Sequence, residues 1–194
     1  MDIIELFIDE TDEVSGIEAI SVVENPAIES DFIALKNQEF KLAEVDKEKR
    51  ILMGAALIPN KPIYRTNGEQ EYYIYFSKDT VRKASELFFI KGNQNNTTLE
   101  HQLELKGLTA VESWIVESEQ DKSRMYDLDV PIGTWMVSMK VNNDDVWKQV
   151  KEGKVKGFSI EGYFADKLER PNESNELKAQ EIINKLKNLF NANN

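Results

Sequence analysis

The sequence predicts an α+β protein built around an antiparallel sheet or small barrel, and three features of its patterning predict it. Most of its regular segments are short runs of β-branched and aromatic residues that end at Pro, Gly or Asn. Only two or three segments carry apolar residues at helical spacing with a capping residue in front. Neither an internal repeat nor a low-complexity tract interrupts the 194 residues. A chain of that length suits one domain of ordinary size with an appended tail.

Read in order, Ile3 to Ile8 is a compact apolar strand. The run Ile17-Glu18-Ala19-Ile20-Ser21-Val22-Val23 is a second, stopped by Glu24-Asn25-Pro26 because proline cannot continue a ladder. Phe32 to Leu35 is a short third. Together they make an N-terminal region, residues 1–35. Residues 36–50 are so charged that they read as a solvated connector, and as the boundary before a main domain at 51–167. That domain opens with the buried strand Ile51 to Ile58, stopped by Pro59 and Pro62, and continues with Tyr72 to Phe76. Ser77 offers an N-cap for a helix to about Lys91, with Val81, Ala84, Leu87 and Phe88 on one face and Gly92 as the stop. Two strands, Thr98 to Leu105 and Leu108 to Val116, are expected to form a hairpin across Lys106-Gly107. A charged surface loop, Glu117 to Asp129, leads to the strand Gly133 to Val141. Asn143 caps a short helix in which Asp144 and Asp145 sit at the favourable end of the dipole. Gly153 ends it, and Val155 to Phe164 is the last strand. The tail, 168–194, is a polar linker followed by an amphipathic helix bearing Leu177, Ile182, Ile183, Leu186, Leu189 and Phe190.

Composition narrows the chemistry. There is no cysteine, which excludes disulfides, thiolate metal sites and cysteine nucleophiles, and a single histidine excludes any site built on two imidazoles. No cofactor or metal is expected. With 24 basic residues against 35 acidic ones, the net charge of −11 argues against nucleic acid or an anionic membrane as a partner. An acidic N-terminus and the lack of a long apolar run predict a cytoplasmic chain with no signal peptide and no membrane span.

Two stretches carry candidate chemistry. In Asn96 to Leu105, strict alternation puts His101 on one strand face with Leu99, Leu103 and Leu105. A histidine there is either a packing residue or a neutral imidazole able to act as a general base. In Val155 to Phe164, residues Phe158, Ile160 and Phe164 share one face, with Ser159 and Glu161 on the other and glycines at 157 and 162. Ser159 is either an outward-facing strand serine, one of eleven serines, or a nucleophile needing an imidazole within reach. Its surroundings lack the second glycine of a Gly-x-Ser-x-Gly elbow. Trp135, Met136 and Met139 read as core, and the Asp144-Asp145 pair reads as a helix start rather than a metal site. Alternation sets His101 and Ser159 on ill-matched faces. They can meet if helices cover the barrel exterior, the arrangement expected, or if a bulge re-aims one of them.

In this order, Ile17 to Ile28, Thr98-Leu99-Glu100-His101, Glu112-Ser113-Trp114, Gly133-Thr134-Trp135-Met136-Val137 and Gly157-Phe158-Ser159-Ile160-Glu161-Gly162 resemble the XkdF-like phage serine proteases. Those are prohead proteases related to the herpesvirus assemblin fold. The resemblance covers about residues 1–167. It implies a small, mostly antiparallel β-barrel flanked by helices, assemblin-like. It also implies a Ser–His endopeptidase that works inside the procapsid in the host cytoplasm. Its substrates would be scaffold protein, the scaffolding segment of the major capsid protein, and often the enzyme itself; a homodimer is compatible with it. By motif, Ser159 would be the nucleophile and His101 the base. The third member would be Glu161, which shares the Ser159 face, with Glu112 and Asp166 as alternatives.

Overall fold

The computed structural model describes residues 2–25, 33–35, 49–66 and 71–166. Its strands are β1 (Asp2–Phe7), β2 (Gly16–Val23), β3 (Ile33–Leu35), β4 (Ile51–Leu57), β5 (Ile63–Thr66), β6 (Glu71–Phe76), β7 (Thr97–Leu99), β8 (Leu103–Leu105), β9 (Leu108–Ile115), β10 (Trp135–Val141), β11 (Gly157–Tyr163) and β12 (Ala165–Asp166). Helix α1 is Lys78–Ile90 and α2 is Asp144–Lys151, with 3₁₀ turns at Asn93–Asn95 and Lys122–Tyr126. The α+β class is thus as the patterning predicts. The connector at 36–48 and the tail from 167 onward lie outside the described residues.

The strands form three four-stranded sheets, in the orders β12-β1-β6-β5, β3-β4-β10-β9 and β11-β2-β7-β8. Pairing is antiparallel except for β1 with β6 and β2 with β7. The described strands do not close into the single barrel expected. Strand β11 runs beside β4, yet no ladder joins them, and the chain changes sheet at Phe164, between β11 and β12. The chain also changes sheet at Lys106-Gly107. The expected hairpin is absent there, because β8 pairs with β7 whereas β9 pairs with β10. Gly107 makes that corner at φ +85°, a conformation costly for any residue with a Cβ.

The core lies where the sheets and α1 meet. Every residue of β4 from Leu52 to Leu57 is buried, as are Trp135, Met136, Val137 and Met139 of β10. Such runs lose the strand alternation because both faces are covered. Phe88 of α1 packs edge-on to Trp135 at 5.5 Å, and the indole N–H is satisfied by Ser113 Oγ at 2.8 Å. Helix α1 starts where Ser77 accepts from the Thr80 amide, and stops before Gly92, whose φ of +76° is left-handed. Asn143 caps α2 by accepting from the Val146 amide at 3.0 Å. Strand β5 is not evident in the sequence. It is a four-residue run with one buried side chain, Ile63, and exists because β6 supplies its partner.

The largest departure from expectation concerns Thr98 to Leu105. Instead of one strand, it is two three-residue strands joined by a turn at Glu100-His101-Gln102. The Gln102 amide donates to the Leu99 carbonyl at 3.1 Å, and Glu100 and His101 take φ values of +50° and +57°. Two consecutive positive φ values have the handedness of the turns that suit a twisted hairpin. Neither residue is Gly or Asn, which hid the turn from the sequence. His101 therefore shares no face with Leu99, Leu103 and Leu105, and Leu103 is 59% exposed.

Candidate active site

Three hydroxyl side chains form a row across one sheet. Ser159 of β11 lies directly opposite Ser21 of β2, and Ser21 directly opposite Thr98 of β7. Residues in register point to the same side of a sheet, about 4.8 Å apart from strand to strand. Glu161, two residues beyond Ser159, shares that side, whereas Phe158 points the other way and is fully buried. The same strand alternation thus supplies a core face and a polar face.

The β7–β8 turn folds His101 onto this polar face. The His101 amide donates to Ser21 Oγ at 3.1 Å, and the preceding Glu100 amide donates to the Val22 carbonyl at 3.2 Å. Glu100 Oε1 accepts from the Glu24 amide at 2.6 Å, so the turn is tied along the end of β2. The imidazole then lies with Nδ1 3.1 Å from Glu161 Oε1. Thr98 Oγ1 donates to that same carboxylate oxygen. A carboxylate accepts only, so the contact is favourable with the proton on Nδ1, an arrangement that leaves Nε2 for other work. The His101 side chain is 41% exposed and that of Glu161 30%, whereas Ser159 is 8% exposed. The expected helices covering a barrel do not bring imidazole and serine to one side, nor does a bulge in the His101 strand; a turn does. Ser159 Oγ makes no hydrogen bond to any described residue, the His101 ring included.

A register shift follows directly after Glu161. Gly162 sits there because a Cβ would come within 2.7 Å of the Ile17 Cα. This glycine makes room for the chain's own β2. Ser159 also lies on the wall of a cleft of about 320 Å³, otherwise mainly apolar, with Ile74, Phe76 and Ile160 among its walls.

The two alternative acids lie elsewhere. Glu112 of β9 accepts from Ser138 Oγ at 2.7 Å and pairs with Lys122, which also covers the Trp114 ring at 3.7 Å. The Lys122 ammonium and then the Ser138 hydroxyl hold the Glu112 carboxyl below its ordinary range. Asp166 of β12 is in register with Leu6 and borders the cleft. Neither touches His101. Asp144 and Asp145 stand in the first turn of α2, where Asp144 pairs with Arg50 at 2.5 Å. Among the described residues no group of three or more His, Asp or Glu side chains is placed to hold a metal, and no helix is long and apolar enough to cross a membrane. The roles of Ser21 and Thr98 are not evident in the sequence. The available signal is a serine inside the otherwise apolar run Ala19 to Val23.

Residues 39–169 match the model of a family described as "Putative phage serine protease XkdF". The chain belongs to that family. It is also 24% identical over 178 residues to "Uncharacterized protein YqbD" of Bacillus subtilis (strain 168), an alignment covering 88% of this chain and 52% of that protein. The chain thus spans about half the length of this curated relative. No solved structure matches it.

Proposed function

We propose that this member of the phage serine protease family is a prohead endopeptidase, with Ser159 as nucleophile, His101 as general base and Glu161 as the acid that orients the imidazole. One observation carries this reading: the chain's sole histidine has Nδ1 3.1 Å from Glu161, on the sheet side to which Ser159 also points. With Nδ1 so occupied, Nε2 takes the Ser159 proton as Oγ attacks the scissile carbonyl. It returns that proton to the departing amine, and water then releases the acyl group by the same route. Glu161 stays ionised and stabilises the imidazolium that forms. Nucleophile–base contacts often close only when substrate is bound, which accounts for a Ser159 hydroxyl without a hydrogen bond among the described residues.

The proposed substrates are scaffold protein or the scaffolding segment of the major capsid protein, together with the enzyme itself. The proposed place is the interior of the procapsid in the host cytoplasm, and an assemblin-like descent of the fold belongs to the same proposal. A second reading, a non-enzymatic virion or assembly protein that retains the fold, is favoured by the missing Ser159–His101 hydrogen bond. Co-expression with the phage's capsid and scaffold proteins, followed by intact-mass analysis, separates the two. Shortened products with the wild type and none with Ser159→Ala are expected. Identical processing by both chains contradicts the assignment.

A further inference from the structure

We propose that Thr98 and Ser21 are positioning residues that hold the two halves of the His101–Glu161 pair in register. This inference rests on the reading of His101 and Ser159 given above.

A glutamate on the edge strand of a mixed sheet has three side-chain torsions and much freedom. At 30% exposure, water competes for both of its oxygens. Thr98 removes that freedom from one side. Its hydroxyl donates to Oε1, the same oxygen that faces His101 Nδ1. Threonine suits this task because its branched Cβ restricts χ1 and fixes the direction of the hydroxyl. With Oε1 held by Thr98, the carboxylate meets the imidazole at a fixed angle, and one tautomer of the ring is selected.

Ser21 acts on the other partner through the backbone. Two successive non-glycine residues at positive φ persist only where the surroundings over-determine them. Ser21 Oγ, which is fully buried, accepts the His101 amide, and its own proton points to the Thr98 carbonyl at 3.4 Å. One hydroxyl thus joins the base-bearing turn to the strand that carries Thr98, directly beside the nucleophile's position. Without it, the His101 amide would be left without this acceptor and the turn would lose one of its ties to β2.

Because His101 is the only imidazole, its ring nitrogens give the only histidine signals in a nitrogen-15 NMR spectrum, so the test can be read directly. In the wild type the ring is expected to be protonated on Nδ1. Thr98→Val keeps the branched shape without the hydroxyl, and should convert the ring to a mixture of tautomers. On a peptide spanning a mapped cleavage site, it should lower kcat by about 10- to 100-fold at unchanged KM. Thr98→Ser should restore both. Ser21→Ala should speed hydrogen exchange of the His101 amide while leaving that of α1 unchanged. If valine does not fold, Thr98→Ala decides in its place. A folded Thr98→Val or Thr98→Ala variant with the wild-type tautomer and kcat overturns the proposal, as does a Thr98→Ser variant as impaired as valine. The ring spectrum needs no turnover. A Ser159→Ala chain that processes normally would therefore refute the protease reading without deciding this one.

Discussion

At the scale of single residues, the arrangement turns on which carboxylate faces the imidazole. Glu161 does so through Oε1, whereas Glu112 is committed to Lys122 and Ser138. The two acids therefore predict different outcomes. Glu161→Gln removes the charge that stabilises the imidazolium, and its amide permits the wrong tautomer. Its cleavage rate should fall by about 10²- to 10⁴-fold. Glu112→Gln should retain wild-type turnover and instead lose stability at neutral pH, a deficit that shrinks as the pH falls. The Glu112 carboxyl is held below its unfolded value, so its contribution is present at neutral pH and is lost as pH falls through the lower folded value. Turnover of both variants on one peptide, with their urea midpoints at pH 7 and pH 3, checks both statements. Equal loss of turnover in the two would contradict the choice of Glu161. The sequence could rank these acids, because period-two alternation already groups Glu161 with Ser159. It could not resolve them, since the ring that chooses between them sits in a turn with no Gly or Asn to announce it.

At the scale of elements, strands with strong β composition and helices with explicit caps were legible. Strand β2 ends at Val23 as Pro26 implies, α1 begins after Ser77, and α2 begins after Asn143. What escaped was set by partners distant in the chain. Strand β5 depends on β6, and the Glu100-His101 turn is tied to the end of β2. The glycines at 157 and 162 leave room beside Ser159 for another backbone or a substrate, and at Gly162 it is the backbone of Gly16 and Ile17 in β2 that takes the space. Gly162→Ala should therefore strain the β2–β11 ladder itself and destabilise the protein by about 3 kcal/mol. Thermal unfolding measures this directly, and an unchanged midpoint would show that the ladder can yield at this point.

At the scale of the molecule, the N-terminal strands are woven into the rest of the fold. Strand β1 lies between β12 and β6, and β2 lies between β11, which carries Ser159, and β7, which leads to His101. Alone, β2 buries Ile17, Ile20, Val22 and Val23. Each is worth roughly 1.5–3 kcal/mol, against a total stability of roughly 5–15 kcal/mol for an ordinary domain. A chain beginning at residue 39, where the family match starts, should accordingly fail to fold and show no dispersed amide spectrum. A cooperative thermal transition in that chain would contradict this role for β2. The sequence does not disclose this interleaving, because the parallel β2–β7 pair joins residues more than 70 positions apart.

In the proposed mechanism the only imidazole activates one particular serine among eleven. Labelling the purified chain with a fluorophosphonate probe, and locating the adduct by tandem mass spectrometry, tests it even while the natural cleavage site is unmapped. The prediction is a single adduct on Ser159 that disappears in His101→Ala. An adduct on another serine, no adduct at all, or labelling that persists without His101 would contradict it.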